Sequence, residues 1–208
     1  MSEIHAVVFD MDGVLIDARE WHYQALNRAL EYFGESIARD EHLNVFDGLP
    51  THTKLNRLSE QGRLPQSLHS LVNSLKQKFT YEFIVRDCSP VFEHEFALSR
   101  LKSAGYKLGL ASNSIRDTVE LMMHRSHLHG FFDVILSTAD VTNAKPDPEI
   151  YIAAQDKLGV EARNCLVVED NANGIAAAKA SGAHVLIVDS PNSVNYSNII
   201  NKINSLTE

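Results

Sequence analysis

Asp10 and Asp12 stand two positions apart in "VVFDMDGVLID" (7–17), directly after an apolar run and just before Gly13. Like charges this close repel unless one acid takes up a proton or a cation joins them. A divalent cation solves the problem. Mg2+ prefers hard oxygen ligands, usually one or two carboxylates with several waters. A second acidic pair, Glu169 and Asp170, ends "CLVVED" and could complete such a site. Taken alone, that pair is better explained as a cap for the helix that "NANGIAAAK" predicts. Beside Asp10 and Asp12 the metal reading gains weight. Two further groups suit an anion next to a metal. Ser112 in "ASNS" can donate to a phosphoryl oxygen, and the amides of Asn113 and Ser114 after it favour negative charge if they open a helix. Lys145 in "NAKPDPEIY" offers an ammonium that could neutralise phosphoryl oxygens and the acidic cluster alike. Each alone reads as a cap or a surface charge. Nucleophile, hydroxyl, lysine and acidic pair in that chain order form a more specific pattern.

Such groups need rigid elements to converge. Five short apolar runs end in small or acidic residues: Ile4–Asp10, Lys107–Asn113, Asp133–Thr138, Cys165–Asp170 and His184–Asp189. Val, Ile and Leu dominate them without polar alternation, as in strands buried on both faces of a parallel sheet. Helical patterns lie between them: around Phe96 and Leu101, over Val119–Leu128, over Ile150–Leu158 and over Asn171–Ala180. The alternation predicts an α/β, Rossmann-like, doubly wound parallel core. Such folds bind ligands beyond the carboxyl ends of their strands, where the polar residues above fall.

Residues 18–88 break the alternation. Trp21, Ala25, Ala29, Leu30 and Phe33 recur at helical spacing, as do Leu68, Leu71, Val72, Leu75 and Phe79, with a shorter helix around Leu55 and Leu58. The expected organisation is a core of 1–17 and 89–208 with an all-helical cap inserted at 18–88. A cap on two linkers is a common device for enclosing a substrate. Asp17 is expected to cap the helix that enters it.

Bulk properties narrow the class. The chain has 208 residues and a formal net charge of −8, which disfavours a general nucleic-acid binder. Two cysteines, Cys88 and Cys165, are too few for a disulfide framework and suit a reducing compartment. The opening residues carry no secretory pattern, and no apolar run is long enough to span a bilayer. The expectation is a cytoplasmic protein without nucleic-acid or membrane partners, a monomer or weak dimer. The chain holds ten histidines, three of them in "HRSHLHG" (124–130). Their position near an expected helix end reads as a favourable charge–dipole placement rather than a metal site.

Together, "DMDGVLID", the serine of "LASNS", the lysine of "AKPDP" and "VVEDNANGI" resemble the four signatures of the haloacid dehalogenase superfamily of aspartate-nucleophile phosphotransferases. The resemblance covers nearly the whole chain, helical cap included. It implies that Asp10 attacks phosphorus to form an aspartyl-phosphate, while Asp12 protonates the leaving oxygen and then deprotonates water. It implies Mg2+ held by Asp10, the Asp12 backbone carbonyl and Asp170, with Glu169 direct or through water. Ser112, Asn113 and Lys145 would stabilise phosphoryl charge.

The second acid, Asp12, resembles the phosphate-handling branch. Within it the chain looks most like the β-phosphoglucomutase and phosphoglycolate phosphatase group. By that likeness His22 and a specificity loop containing Gly48, Thr51 and His52 would meet substrate. Thr51 stands where the mutase has an arginine, and a cap lysine of the mutase is read as lost near Phe83. Lys54 and Arg57 are expected on a solvated helix face. The reading is therefore a phosphatase for a small phosphorylated metabolite, with a phosphosugar mutase as the alternative. A receiver-like phosphorylation switch ranks lower, because it needs neither the insertion nor Asp12.

Overall fold

The computed structural model describes residues 3–207. The chain divides into two compact units, Met1–Asp17 with Ser89–Glu208, and Ala18–Cys88.

In the first unit the apolar runs become strands β1 (Ala6–Phe9), β2 (Lys107–Ala111), β3 (Val134–Leu136), β4 (Cys165–Glu169) and β5 (His184–Ile187). All pair in parallel, in the order β3-β2-β1-β4-β5. The central strand explains the composition of "AVVF". Its four residues are wholly buried between two neighbours and the layers on either face. Each large apolar side chain buried there contributes about 1.5–3 kcal/mol. Burial on both faces holds for β1 and β4 and for all of β2 but Lys107. It fails at the β5 edge, where Ile187 is exposed. An edge strand has one neighbour, and its apolar run does not report that.

Register brings the chemistry together. Phe9 lies opposite Leu110 on one side and Val168 on the other. The next residues, Asp10, Ala111 and Glu169, therefore lie side by side at the carboxyl end of the sheet. The Asp10 amide donates to the Val168 carbonyl at 3.0 Å.

The core unit's helices are α4 (Phe92–Ser103), α5 (Arg116–Arg125), α6 (Glu149–Leu158), α7 (Ala172–Ala180) and α8 (Tyr196–Thr207). The helical unit holds α1 (Arg19–Glu31), α2 (Thr51–Glu60) and α3 (His69–Asp87). Its own core gathers Ala25, Leu26, Ala29, Leu30, Phe46, Leu55 and Phe79, so the insertion has an apolar centre of its own. Three details differ from expectation. Leu71 and Phe96 are exposed, each one residue before a buried one, Val72 and Ala97, and so about 100° around the helix from it. Asp17 is exposed and caps nothing: Ala18 is the N-cap of α1, with no side-chain bond to the first turn.

Candidate active site

The turn after β1 is built by the backbone. The Met11 carbonyl accepts from Leu15 at 3.0 Å and Ile16 at 2.9 Å, and Gly13 at φ +92° makes the reversal. Only glycine adopts that conformation at little cost. Asp10 is thereby fixed in the interior, 5% exposed, and Asp12 sits half-buried.

Lys145 is the hub. Its Nζ donates to Asp10 Oδ1 at 2.6 Å, to Glu169 Oε1 at 2.8 Å and to the Ala111 carbonyl at 2.8 Å. It also lies 4.6 Å from the centre of the Tyr151 ring. Its three donors match three acceptors, which is what a buried ammonium requires. The loop that carries it is clasped to the end of β2. Asn113 Oδ1 accepts from the Lys145 amide at 3.0 Å, and Asn113 Nδ2 donates to the Lys145 carbonyl at 3.3 Å.

The charges shift one another strongly. Burial holds the Asp10 carboxyl well above the usual carboxylate range; Lys145 opposes this, and Glu169 and Asp12 add to it. Burial alone would lower Lys145, but the Asp10 and Glu169 carboxylates outweigh it and raise the ammonium above its ordinary value.

Carboxylate oxygens of Asp10, Glu169 and Asp170 lie within 4.8 Å of one another. Glu169 is wholly buried and richly satisfied. Oε1 accepts from Lys145 and from the Tyr151 hydroxyl at 2.6 Å. Oε2 accepts from the Asp170 amide at 3.0 Å and from Asn171 Nδ2 at 3.3 Å. Asn171, not the acidic pair, caps α7, through its Oδ1 and the Gly174 amide at 3.0 Å. Ser112 is buried at the end of β2; its Oγ accepts from the Ser114 amide at 3.0 Å. The Ser114 hydroxyl in turn donates to Asp12 Oδ2 at 2.8 Å. Helix α5 starts only at Arg116, so Asn113 and Ser114 lie in the preceding loop rather than in its first turn.

A sequence model of haloacid dehalogenase-like hydrolases matches residues 7–188. The chain belongs to that family. Among curated relatives, a phosphorylated carbohydrates phosphatase from Thermotoga maritima is 32% identical over 86% of this chain and 82% of its own. A pyrophosphatase PpaX from Bacillus velezensis is 29% identical over 87% of this chain and 81% of its own. The crystal structure of β-phosphoglucomutase from Clostridium difficile shares the fold, with a TM-score of 0.82 over 98% of this chain and 99% of that one, at 24% identity.

Asp10, Ser112, Lys145, Glu169 and Asp170 lie together in one unit of this hydrolase-family chain, around Lys145. The other candidates, His22, Gly48, Thr51 and His52, lie in the helical unit. Gly48 turns the loop before α2 at φ +69°, Thr51 opens that helix and His52 is exposed on it. His22 Nδ1 lies 3.3 Å from Lys76 Nζ. Lys76, buried on α3, was hidden from sequence reading by the apolar face around it. Lys54 is buried too, which corrects its reading as a solvated charge, and burial lowers its ammonium to about 8. Arg57 donates to the Val45 carbonyl at 2.7 Å.

Sequence reading also missed Tyr151, Gly174 and the hydroxyl of Ser114, of which it used only the amide. Tyr151 looked like one more apolar helix position. Gly174 looked like a small residue in a small-residue helix. A Cβ at Gly174 would fall 1.7 Å from Glu169 Oε1, so the glycine leaves the space that the carboxylate fills. Only the folded chain shows that approach.

Proposed function

We propose that the protein is a Mg2+-dependent phosphatase acting on a small phosphorylated metabolite through an aspartyl-phosphate on Asp10. The observation that carries this is the Asp10 carboxylate fixed at the end of β1 by Lys145 at 2.6 Å, with Glu169 and Asp170 beside it. Both relatives named above act on phosphate groups by their names, which supports hydrolysis of a phosphate ester or anhydride.

The donor set fits a hard divalent ion. Three carboxylates converge with one lysine to balance them, and all would-be ligand atoms are oxygens. Asp10 and Asp170 would hold the ion, with the Asp12 carbonyl. Glu169 would act through water, because both its oxygens already accept hydrogen bonds. Bound there, Mg2+ would offset phosphoryl negative charge and lower the proton affinity of Asp10.

The residues then divide the work. Asp10 attacks phosphorus in line and becomes esterified. Asp12, oriented through Oδ2 by Ser114, protonates the leaving oxygen and afterwards takes a proton from the attacking water. Ser112 and the Asn113 amide donate toward the phosphoryl oxygens as charge develops, and the Lys145 ammonium offsets that charge from beside Asp10. The helical unit acts as the cap, and its loop at Gly48–His52 selects the substrate.

A phosphosugar mutase is the second reading. Lys54 and Lys76, both buried in the helical unit, supply cationic groups that such an enzyme needs to hold a second phosphate. Phosphate release over a panel of sugar phosphates and pyrophosphate, with Mg2+ and with Asp10→Asn as control, tests the primary reading. Free phosphate is expected. NMR of β-glucose 1-phosphate incubated with a bisphosphate primer separates the two, since a mutase yields an isomer. No phosphate release and no isomer from any substrate would contradict both.

A further inference from the structure

The sequence "HRSHLHG" plays no part in the chemistry above, yet the fold gives two of its histidines a shared partner. Helix α5 ends at Arg125 and is closed by a reversal. The His127 amide donates to the His124 carbonyl at 3.2 Å, and the Leu128 amide donates to the Met123 carbonyl at 2.9 Å. That pair of bonds is the Schellman arrangement, which needs a left-handed residue after the cap. His127 supplies it at φ +60°, the one non-glycine residue with positive φ among those described. Leu128 is buried beneath the turn and anchors it.

The reversal lays His129 back on the last turn of the helix. Its ring stacks on His124 with centroids 4.2 Å apart and planes within 9° of parallel. Both Nε2 atoms face one oxygen: His129 lies 3.0 Å and His124 3.9 Å from Glu120 Oε2. The other Glu120 oxygen faces Arg116 Nη1 at 3.8 Å, while that guanidinium pairs chiefly with Asp140. Ligand atoms of Glu120, His124 and His129 lie within 4.8 Å of one another. All three side chains are solvent-accessible, so water can complete a coordination shell.

Two imidazole nitrogens and a carboxylate oxygen form a donor set that suits Zn2+, Ni2+ or Cu2+ and not Mg2+. We propose that Glu120, His124 and His129 form a surface site for a divalent transition-metal ion, separate from the acidic cluster at Asp10. Small side-chain rotations bring the three donors to the roughly 2.0–2.2 Å that zinc requires. The ion would pin the 129–131 turn to α5.

The test uses the full chain, stripped with chelator and then saturated with Mg2+ to occupy the acidic cluster. Calorimetric titration with Zn2+ is expected to show one site per chain. In the double variant His124→Gln/His129→Gln its affinity should fall by at least about tenfold, the lower end of what even an indirect partner's loss costs. Zn2+ should raise the melting temperature of the wild type and not of the variant. Cu2+ electron paramagnetic resonance on the wild type should show coupling to two nitrogens, a readout independent of the variant's folding. Equal Zn2+ affinity in both proteins, or a Cu2+ spectrum without nitrogen coupling, would overturn the proposal.

Discussion

At the scale of residues, the site rests on one charge balance. Lys145 serves two carboxylates at once, so removing Asp10 and removing Lys145 have different expected consequences. Asp10→Asn keeps shape and removes the proposed nucleophile; turnover should fall by a factor on the order of 10^4 or more with the fold intact. Activity near wild type in a phosphate-release assay would refute the role. Tyr151 holds Glu169 through a buried hydroxyl at 2.6 Å, and burial keeps that hydroxyl protonated by raising it well above its ordinary value, with Glu169 and Asp10 adding to the effect. It is a positioning residue. Tyr151→Phe should lower kcat about tenfold and weaken apparent Mg2+ affinity while leaving substrate KM close to wild type, because a hydrogen bond to a charged group contributes about 1.5–3 kcal/mol. An unchanged Mg2+ dependence would show that Glu169 holds its place without the tyrosine. These two residues differ in legibility. Asp10 announces itself through a local clash of charges, whereas Tyr151 matters only because its helix, packed on β2 and β3, brings the hydroxyl to Glu169 at the end of β4.

At the scale of elements, the helical unit carries its own electrostatic cost. His42 is buried, tilted at 45° against Tyr23 with centroids 4.7 Å apart, and its Nδ1 has no hydrogen-bond partner. Burial, with Lys54 nearby, lowers its imidazole to about 4. The unfolded chain takes up that proton near 6.5, so the stability His42 confers is complete above pH 6.5 and drains as pH falls toward 4. The loss amounts to about 3 kcal/mol at most. Urea unfolding at several pH values should show that slope in the wild type and a flatter one in His42→Gln; matching slopes would contradict it. Lys54 burdens the same unit, since at neutral pH it is a buried ammonium. Lys54→Met should raise the stability of the helical unit by about 1–3 kcal/mol; a lower melting temperature would show that the charge is better compensated than its burial implies. Here sequence reading reached the helices and stopped at their faces. Periodicity identified α1 and α3, but a lysine inside an apolar stripe looks the same as one at its margin. The sheet was more legible. Uninterrupted Val, Ile and Leu with acids at the ends specify both the strand and the direction of its functional end, which is why the Asp10, Ser112, Lys145 and Glu169 positions could be grouped before any geometry was known.

At the scale of the whole molecule, five parallel strands with register fixed at Phe9, Leu110 and Val168 bring groups from four distant stretches of chain to the carboxyl end of the sheet. No helix among the described residues is long and apolar enough to cross a membrane. Removing divalent metal with chelator should abolish phosphate release and Mg2+ should restore it; full activity after chelation would exclude the assignment of the acidic cluster. The central claim, a covalent phosphoryl-enzyme, has a direct test. The Asp12→Asn variant, mixed with a substrate found in the screen and quenched in acid, should yield a peptide carrying a phosphoryl group on Asp10, seen by mass spectrometry and absent when Asp10 is also replaced by Asn. A phosphoryl group on any other residue, or rapid turnover by the variant with none trapped, would contradict the account.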